Sequence, residues 1–525
     1  MRISTASKVL LYEKNELVGG RLNSEYLVSN NGESFRFDTG PSLLLLPDVY
    51  RETLQSLGEN CFDHGLELLP VNPFYRVYFE ADNSQIDIST DAETMKHSLE
   101  GIETGAWKRF QEYMKVGSAF LKFGLKAVIK EEFDSFFTDL FPFLVACLRS
   151  FPLRSHHSVL RDFFKSPKLQ AMLSFQDLYV GLSPYETPAV FALLQALEYE
   201  QGIFYPRGGF GQVAQALKRA AEQAGVTILT NHTVHAINMS PSASGAPPSV
   251  QSLRVTAGVT NSSFEVDAAA VVVNVDAPQA EELFGGESTD GWRTSCGVLA
   301  LHWGFNTTLS PLLQHHTLFL STHYADSWVP VEATRPTHPQ VCKIATRRDH
   351  MVLCLLWQHK ESRFNEKAFN FYVHAPSRTD PSCCPAGSDA ITVLVPVPPL
   401  RDSSDRISQY DEKEVIRIRA AVLSRMQAVC DQVGQKVTLK DHIVCESHRT
   451  PSDWQRDFNL FRGSAFGLTH NLQQLSLLRP RIRHPSYRGL YRVGASTRPG
   501  NGVPLVMIGA GLTASAVLRD LHDPK

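Results

Sequence analysis

The chain has 525 residues, 43% of them hydrophobic and 20% charged, with a net charge of −3. That is too long for one hydrophobic core, so two or three domains are expected, with the composition of a soluble globular protein rather than a disordered or fibrous one. The small net charge gives no basis for a nucleic-acid partner.

Taken in chain order, Met1 opens no recognisable signal or transit peptide. "KVLLYEKN" (8–15) reads as a buried strand ending in an acid, Glu13, and "ELVGGRL" (16–22) follows it. In "FDSFFTDLFPFLVACL" (133–148), Phe133, Phe136, Phe137, Leu140, Phe141 and Leu144 share one helix face, and Pro142 would kink or end that helix. Such a face suits either a protein core or an interfacial helix at a membrane or tunnel mouth. No run approaches the ~20 apolar residues of a spanning helix. His156-His157 and His315-His316 have no Cys, Asp or Glu beside them at ligand spacing. They are expected to be ordinary surface histidines, and no metal site is expected.

"GQVAQALKRAAEQAG" (211–225) reads as a helix closing on Gly225. "VTILTNHTVHAI" (226–237), "AAAVVVNV" (268–275) and "LYRVGAS" (490–496) read as strands, and "MSPSASGAPPSV" (239–250) as a loop between two of them. The nine cysteines form no C-x-x-C pair, and Cys383 and Cys384 are adjacent, so reduced thiols are expected. α/β material thus recurs at the start, middle and end of the chain. The expected architecture is an α/β, discontinuous Rossmann-like domain built from 1–60, 205–280 and 485–525. A mixed α+β substrate domain from 61–204 and 281–484 would be inserted in it.

Two stretches match the dinucleotide fingerprint G-x-G-x-x-A: Gly209 to Ala214 and Gly509 to Ala514. A true site needs an acid at the end of the second strand, ~20 residues after the glycines. The first match runs instead into Asn231-His232-Thr233, and the second leaves too little chain for helix and strand. Glu13 meets the complementary requirement, because it ends a strand as that acid should. Counting back ~20 residues places its glycine loop before Met1. The first strand and its G-x-G-x-x-G loop are therefore expected to be missing from the chain.

Four stretches carry a family resemblance: "YEKNELVGGRLNS" with "FRFDTGPSLLLLPDVY" (12–24, 35–50); "DLYVGLSPYETPAVFALLQALEYEQGIFYPRGG" (177–209); "NFYVHAPSRTDPS" with "ITVLVPVPPL" (370–382, 391–400); and "LYRVGASTRPGNGVPLVMIGAGL" (490–512). Together they resemble phytoene desaturases of the bacterial and fungal type, within the FAD-dependent amine-oxidase-like superfamily. The resemblance implies FAD as cofactor. It implies that Glu13 binds the adenosine ribose, that Gly19, Gly20 and Arg21 turn near the pyrophosphate and flavin, and that the backbone of Val234 meets the adenine. Gly494 would stand at the pyrophosphate, and Gly500, Asn501, Gly502, Val503 and Pro504 against the isoalloxazine, at the start of a helix. Gly509 and Gly511 then fall inside that helix, where small residues permit tight packing.

The implied reaction removes hydrogen from adjacent carbons of a long apolar polyene, a hydride passing to flavin N5 and a proton to a base or water. A substrate without charge calls for an apolar tunnel. The aromatic block 174–205 offers Phe175, Tyr179, Tyr185, Phe204 and Tyr205 for its wall. Asp177, Glu186 and Arg207 are catalytic candidates by location only, and Arg207 also suits a loop anchor paired with a carboxylate. Peripheral membrane association, an intracellular location with a plastid among the options, and quinone or oxygen as electron acceptor are likewise implied. The resemblance lapses over 329–361, an anomalous, long and poorly patterned insertion. Without the phosphate loop, FAD affinity is expected to fall by several kcal/mol. Both departures are expected to be gene-prediction errors, a missed first exon and a retained intron. The alternatives are a flavin-dependent carotenoid isomerase, a retinol-saturase-like enzyme, or a non-catalytic polyene-binding homologue.

Overall fold

The computed structural model describes residues 8–58, 66–127, 153–241, 247–286, 291–328, 364–400 and 410–522. The expected helix at 133–148, the insertion at 329–361 and the centre of the 239–250 loop lie outside the described residues.

Two short parallel strand pairs mark the α/β part. Leu10–Tyr12 pairs with Thr227–Leu229, and Val271–Val273 pairs with Leu490–Arg492. The first pair runs on past its last residues: the Glu13 amide donates to the Leu229 carbonyl at 2.9 Å, and the His232 amide to the Glu13 carbonyl at 2.8 Å. The "VTILTNHTVHAI" run divides at Asn231, whose φ of 55° turns the chain from Thr227–Leu229 into a second strand, His232–Met239. That strand begins an antiparallel meander with Val250–Ala257 and Ser262–Asp267. No strand among the described residues joins the two parallel pairs, and a large cavity lies between them.

The helix Gly211–Gln223 buries Val213, Ala216 and Ala220 at helical spacing, and Gly225 at φ 85° ends it. The other large layer is a seven-stranded mixed sheet. Its order is Ile443–Arg449, Gly297–Phe305, Asp389–Val397, Phe371–His374, His316–Leu320, Tyr75–Phe79 and Ser84–Ile88. Every residue of Gly297–Phe305 is buried, as a strand covered on both faces requires. One face is covered by the helix Glu412–Gln432, which the Asp411 carboxylate caps at the Glu414 amide and which buries Val415, Ile418, Val422, Met426 and Cys430. Elsewhere Tyr75, Leu99, Phe110, Phe164 and Phe175 join the sheet's edge to the helices Ala92–Ile102 and Ala106–Ala127 in one core. Fully burying each such side chain stabilises the fold by roughly 1.5–3 kcal/mol.

Two expectations are corrected here. His156, His315 and His316 are buried, not on the surface, because each has polar partners inside. His156 Nδ1 meets Asp177 at 2.8 Å, His315 Nδ1 meets Thr379 at 2.6 Å, and His316 Nδ1 meets the Tyr372 hydroxyl at 2.6 Å. The helix Val503–His522 is also long and apolar enough to cross a membrane by length and composition alone, against the expectation that no run comes near that. In this fold part of that helix lines the cavity.

Candidate functional site

The cavity has a volume of about 2330 Å³, well above the ~300–1,000 Å³ of an ordinary small-molecule pocket. Glu13 enters it at the carboxyl end of the parallel strand Leu10–Tyr12, where α/β sheets place their ligands. The Asn15 amide donates to Glu13 Oε1 at 2.8 Å and fixes the carboxylate. Gly19, Gly20, Arg21, Val234, Gly494, Asn501, Gly502, Val503 and Pro504 line the same cavity. Gly500 stands just behind the wall, with His470 Nε2 2.7 Å from where a β-carbon would be. Phe175 and Tyr179 belong to the lining as well.

The remaining candidates lie elsewhere. Tyr185 packs on the His157 ring, with centroids 4.4 Å apart. Phe204 pairs its backbone with Leu44 and packs against the main core. Tyr205 is buried and donates to Asp38 Oδ2 at 2.6 Å. Asp177 is fully buried against His156, where burial raises its pKa and the imidazole lowers it. Glu186 pairs with Arg293 at 3.2 Å, and Arg207 pairs at the surface with Glu67, as a loop anchor would. None of these six side chains lines the cavity.

Both glycine fingerprints prove to be framework. Around Gly209, the amides that could meet a phosphate are already taken. Gly208 donates to Asp380 at 2.8 Å, Phe210 to Asp38 at 2.8 Å, and Gly211 to the Ser24 hydroxyl at 3.1 Å. Gly509 and Gly511 both sit inside Val503–His522. A β-carbon on Gly509 would stand 3.1 Å from the Arg498 carbonyl, so there the small residue serves packing. Gly511 has nothing within 4 Å and opens on the cavity, so tight packing does not explain it.

Three groups that the sequence did not single out, the partly buried Asp276 and the buried Arg479 and His470, organise the wall. Asp276 accepts from the Ser496 hydroxyl and from the Phe461 amide. Burial raises its pKa, while these bonds and the Arg21 guanidinium lower it. Arg479 is buried, and its pKa is pushed down to about 9 by desolvation. It donates to the carbonyls of Thr469 and Ala495, the latter at 2.7 Å, and so fixes the loop after Gly494. Desolvation holds His470 well below the usual imidazole range. Its neutral Nε2 accepts from the Asn501 amide at 3.3 Å. Asp276 carries the same signal as Glu13, an acid that follows an apolar strand. Nothing local marks Arg479 or His470.

The lining fits FAD. β-Carbons on Gly20 and Gly502 would meet nothing within 4 Å, so their backbones are open to close approach by a ligand. Arg21 gives one N–H to the Ala465 carbonyl and is only partly buried where it lines the cavity, available to an anion. Asn501 to Met507 bring the first turn of Val503–His522 to the lining, and a helix N-terminus favours negative charge. Glu13 offers an acceptor pair for ribose hydroxyls.

Comparison with known proteins agrees. Residues 4–347 match the family described as flavin containing amine oxidoreductase. A phytoene desaturase of Fusarium fujikuroi is 30% identical over 537 residues, covering 98% of this chain and 85% of its own length. A zeta-carotene-forming phytoene desaturase of Myxococcus xanthus is 31% identical over 526 residues, covering 98% and 90%. An oxidoreductase from Methanosarcina mazei shares the fold, with a TM-score of 0.56 at 12% identity over 97% of this chain and 94% of that one. The chain belongs to the flavin-containing amine oxidoreductase family, among its carotenoid desaturases, and is an FAD-dependent oxidoreductase.

Proposed function

We propose that this protein desaturates a long apolar polyene of the phytoene type, by hydride transfer at a membrane surface. The observation that carries this reading is the continuity of one cavity. Glu13, Arg21, Gly494 and the start of Val503–His522 share it with an apolar stretch that includes Leu45, Leu121, Phe175, Phe191, Leu194 and Leu197. Bound FAD supplies the two-electron acceptor for the hydride.

The chain's own residues do the rest. Glu13, Gly19, Gly20, Arg21, Val234 and Gly494 bind and orient the nucleotide. The first N–H groups of Val503–His522, with Gly500 and Asn501 before them, favour negative charge at the ring. The Asn501 side chain donates to the Tyr179 carbonyl at 2.7 Å and ties the helix start to the polyene wall. Apolar side chains hold the substrate by shape and exclude water. Leu57, Leu153, Leu472 and Leu478 line the cavity yet are 46–67% exposed, which suits a mouth resting on lipid. Quinone or oxygen would accept the electrons afterwards.

The test is conversion. Purified, FAD-loaded protein is incubated with phytoene in liposomes, and the pigments are separated. More desaturated, coloured products are expected. Recovery of unchanged phytoene, or of geometric isomers only, refutes the reading.

A further inference from the structure

Removing hydrogen from two adjacent carbons releases one hydride and one proton, and the proton needs an acceptor beside the apolar stretch of the cavity, where Tyr179 lies with Phe175 and Phe191 in the lining. A buried carboxyl lies one step behind that wall. Glu198 is 3% exposed, on the helix Leu193–Gln201. Its Oε1 accepts from the Tyr75 hydroxyl at 2.6 Å, and the Tyr75 oxygen in turn touches the Tyr179 hydroxyl. Tyr179 lines the cavity and is tied through its carbonyl to Asn501. With Glu198 ionised, proton count sets the direction of the chain through Tyr75. Tyr75 has one hydroxyl hydrogen and gives it to Glu198, so Tyr179 must donate to Tyr75. The Tyr179 oxygen is then left with lone pairs to receive a proton.

We propose that Tyr179, Tyr75 and Glu198 form a proton relay that takes the proton released in desaturation. This rests on the functional reading above. One C–H bond breaks with its electron pair leaving as hydride to the flavin. The neighbouring C–H bond breaks, its pair becomes the new π bond, and its proton lands on the Tyr179 oxygen. The Tyr179 hydrogen moves to Tyr75, and the Tyr75 hydrogen moves to the Glu198 carboxylate. The carbon beside a departing hydride is strongly acidic, so phenol oxygens backed by a carboxylate suffice. The proton returns by the same route when product leaves and water enters. Tyr179 is the group that touches substrate, while Glu198 and Tyr75 act through it.

The surroundings fit that role. Burial pushes Glu198 up to about 7, against hydrogen bonds from Tyr75 and Gln176 that hold it down. Both its charged and neutral forms are therefore populated near neutrality. No cation pairs with it among the described residues. On the sheet side, the His316 ring lies against Tyr75 with centroids 5.5 Å apart, and desolvation keeps it neutral. On the helix side, Gln176 Nε2 donates to Glu198 Oε2 at 3.1 Å. Behind it run Gln195, Tyr113, His156 and Asp177, linked in turn by hydrogen bonds. The two amides do not pass protons readily, so this arm orients the carboxylate and the relay ends at Glu198.

The test compares wild type with Glu198→Gln, which keeps the shape and cannot take the proton. Turnover should fall by about 10²–10⁴-fold with KM for the polyene unchanged. The wild-type rise in rate through neutral pH should also vanish. Independently of turnover, infrared difference spectra of the protein without substrate, between about pH 5 and pH 9, should show a carboxylic acid titrating near neutrality. That band should be missing in Glu198→Gln and displaced in Tyr179→Phe. If Glu198→Gln does not fold, judged by flavin content and circular dichroism, Tyr75→Phe carries the same comparison. Wild-type turnover and pH profile in these variants overturn the relay, as does the absence of the infrared band. If wild type itself makes no product, the functional reading fails. The infrared arm alone then decides whether Glu198 is a proton site coupled to the cavity.

Discussion

At the scale of single residues, two carboxylates serve opposite ends. Glu13 is partly exposed at a strand end and lines the cavity, while Glu198 is sealed behind Tyr75 and Tyr179. Replacing Glu13 with Ala removes the proposed acceptor for the ribose hydroxyls. A hydrogen bond to a charged group contributes about 1.5–3 kcal/mol, so FAD affinity should drop roughly ten- to hundred-fold in a fluorescence titration. An unchanged Kd would place the ribose elsewhere. Glu198 makes a stability prediction too. Its pKa rises on folding from 4.5 to about 7, so the folded state holds its proton more tightly. The associated stability is complete below the unfolded value and is lost as pH rises through the folded value. That loss amounts to about 3 kcal/mol for wild type and is absent from Glu198→Gln. Thermal melts across that window should show the variant gaining on wild type as pH rises. Parallel curves would mean that Glu198 is not buried as a neutral acid.

At the scale of elements, the regular pieces were legible and their inward partners were not. The strands at Leu10–Tyr12, Thr227–Leu229, Val271–Val273 and Leu490–Arg492 each stand within a run of apolar or β-branched residues that local pattern reveals. The Glu13 strand end was readable for the same reason. The aromatic block 174–205 shows why sorting side chains is harder. Phe175 and Tyr179 face the cavity, while Tyr205 turns to Asp38, a partner 167 residues away in sequence. The buried histidines follow the same rule, since His315 is satisfied by Thr379 and His374, 64 and 59 residues on. Asp38 is the keystone of this arrangement, receiving hydrogen bonds from Ser24, Tyr205 and the Phe210 amide. Asp38→Ala strands those donors in the interior at about 1–3 kcal/mol for each left unsatisfied. A drop of about 3 kcal/mol or more in denaturant stability is therefore expected. A shift under about 1 kcal/mol would show that water replaces the carboxylate.

At the scale of the whole molecule, the cavity links the parallel strand pairs to the helices that carry the apolar wall. Its exposed rim carries a prediction for the proposed lipid contact. Changing Leu57 and Leu472 to Ser should weaken liposome binding in a sedimentation assay by about 1 kcal/mol for each half-buried leucine. Equal binding by this double variant would move the contact to another surface. The central claim is that flavin and polyene share one cavity, close enough to react. Anaerobic rapid mixing of FAD-loaded protein with phytoene in liposomes, following the flavin absorbance, tests it most directly. Bleaching of the oxidised flavin band in step with the appearance of a more conjugated product is the predicted result. Phytoene that binds while the flavin spectrum stays oxidised would contradict the account.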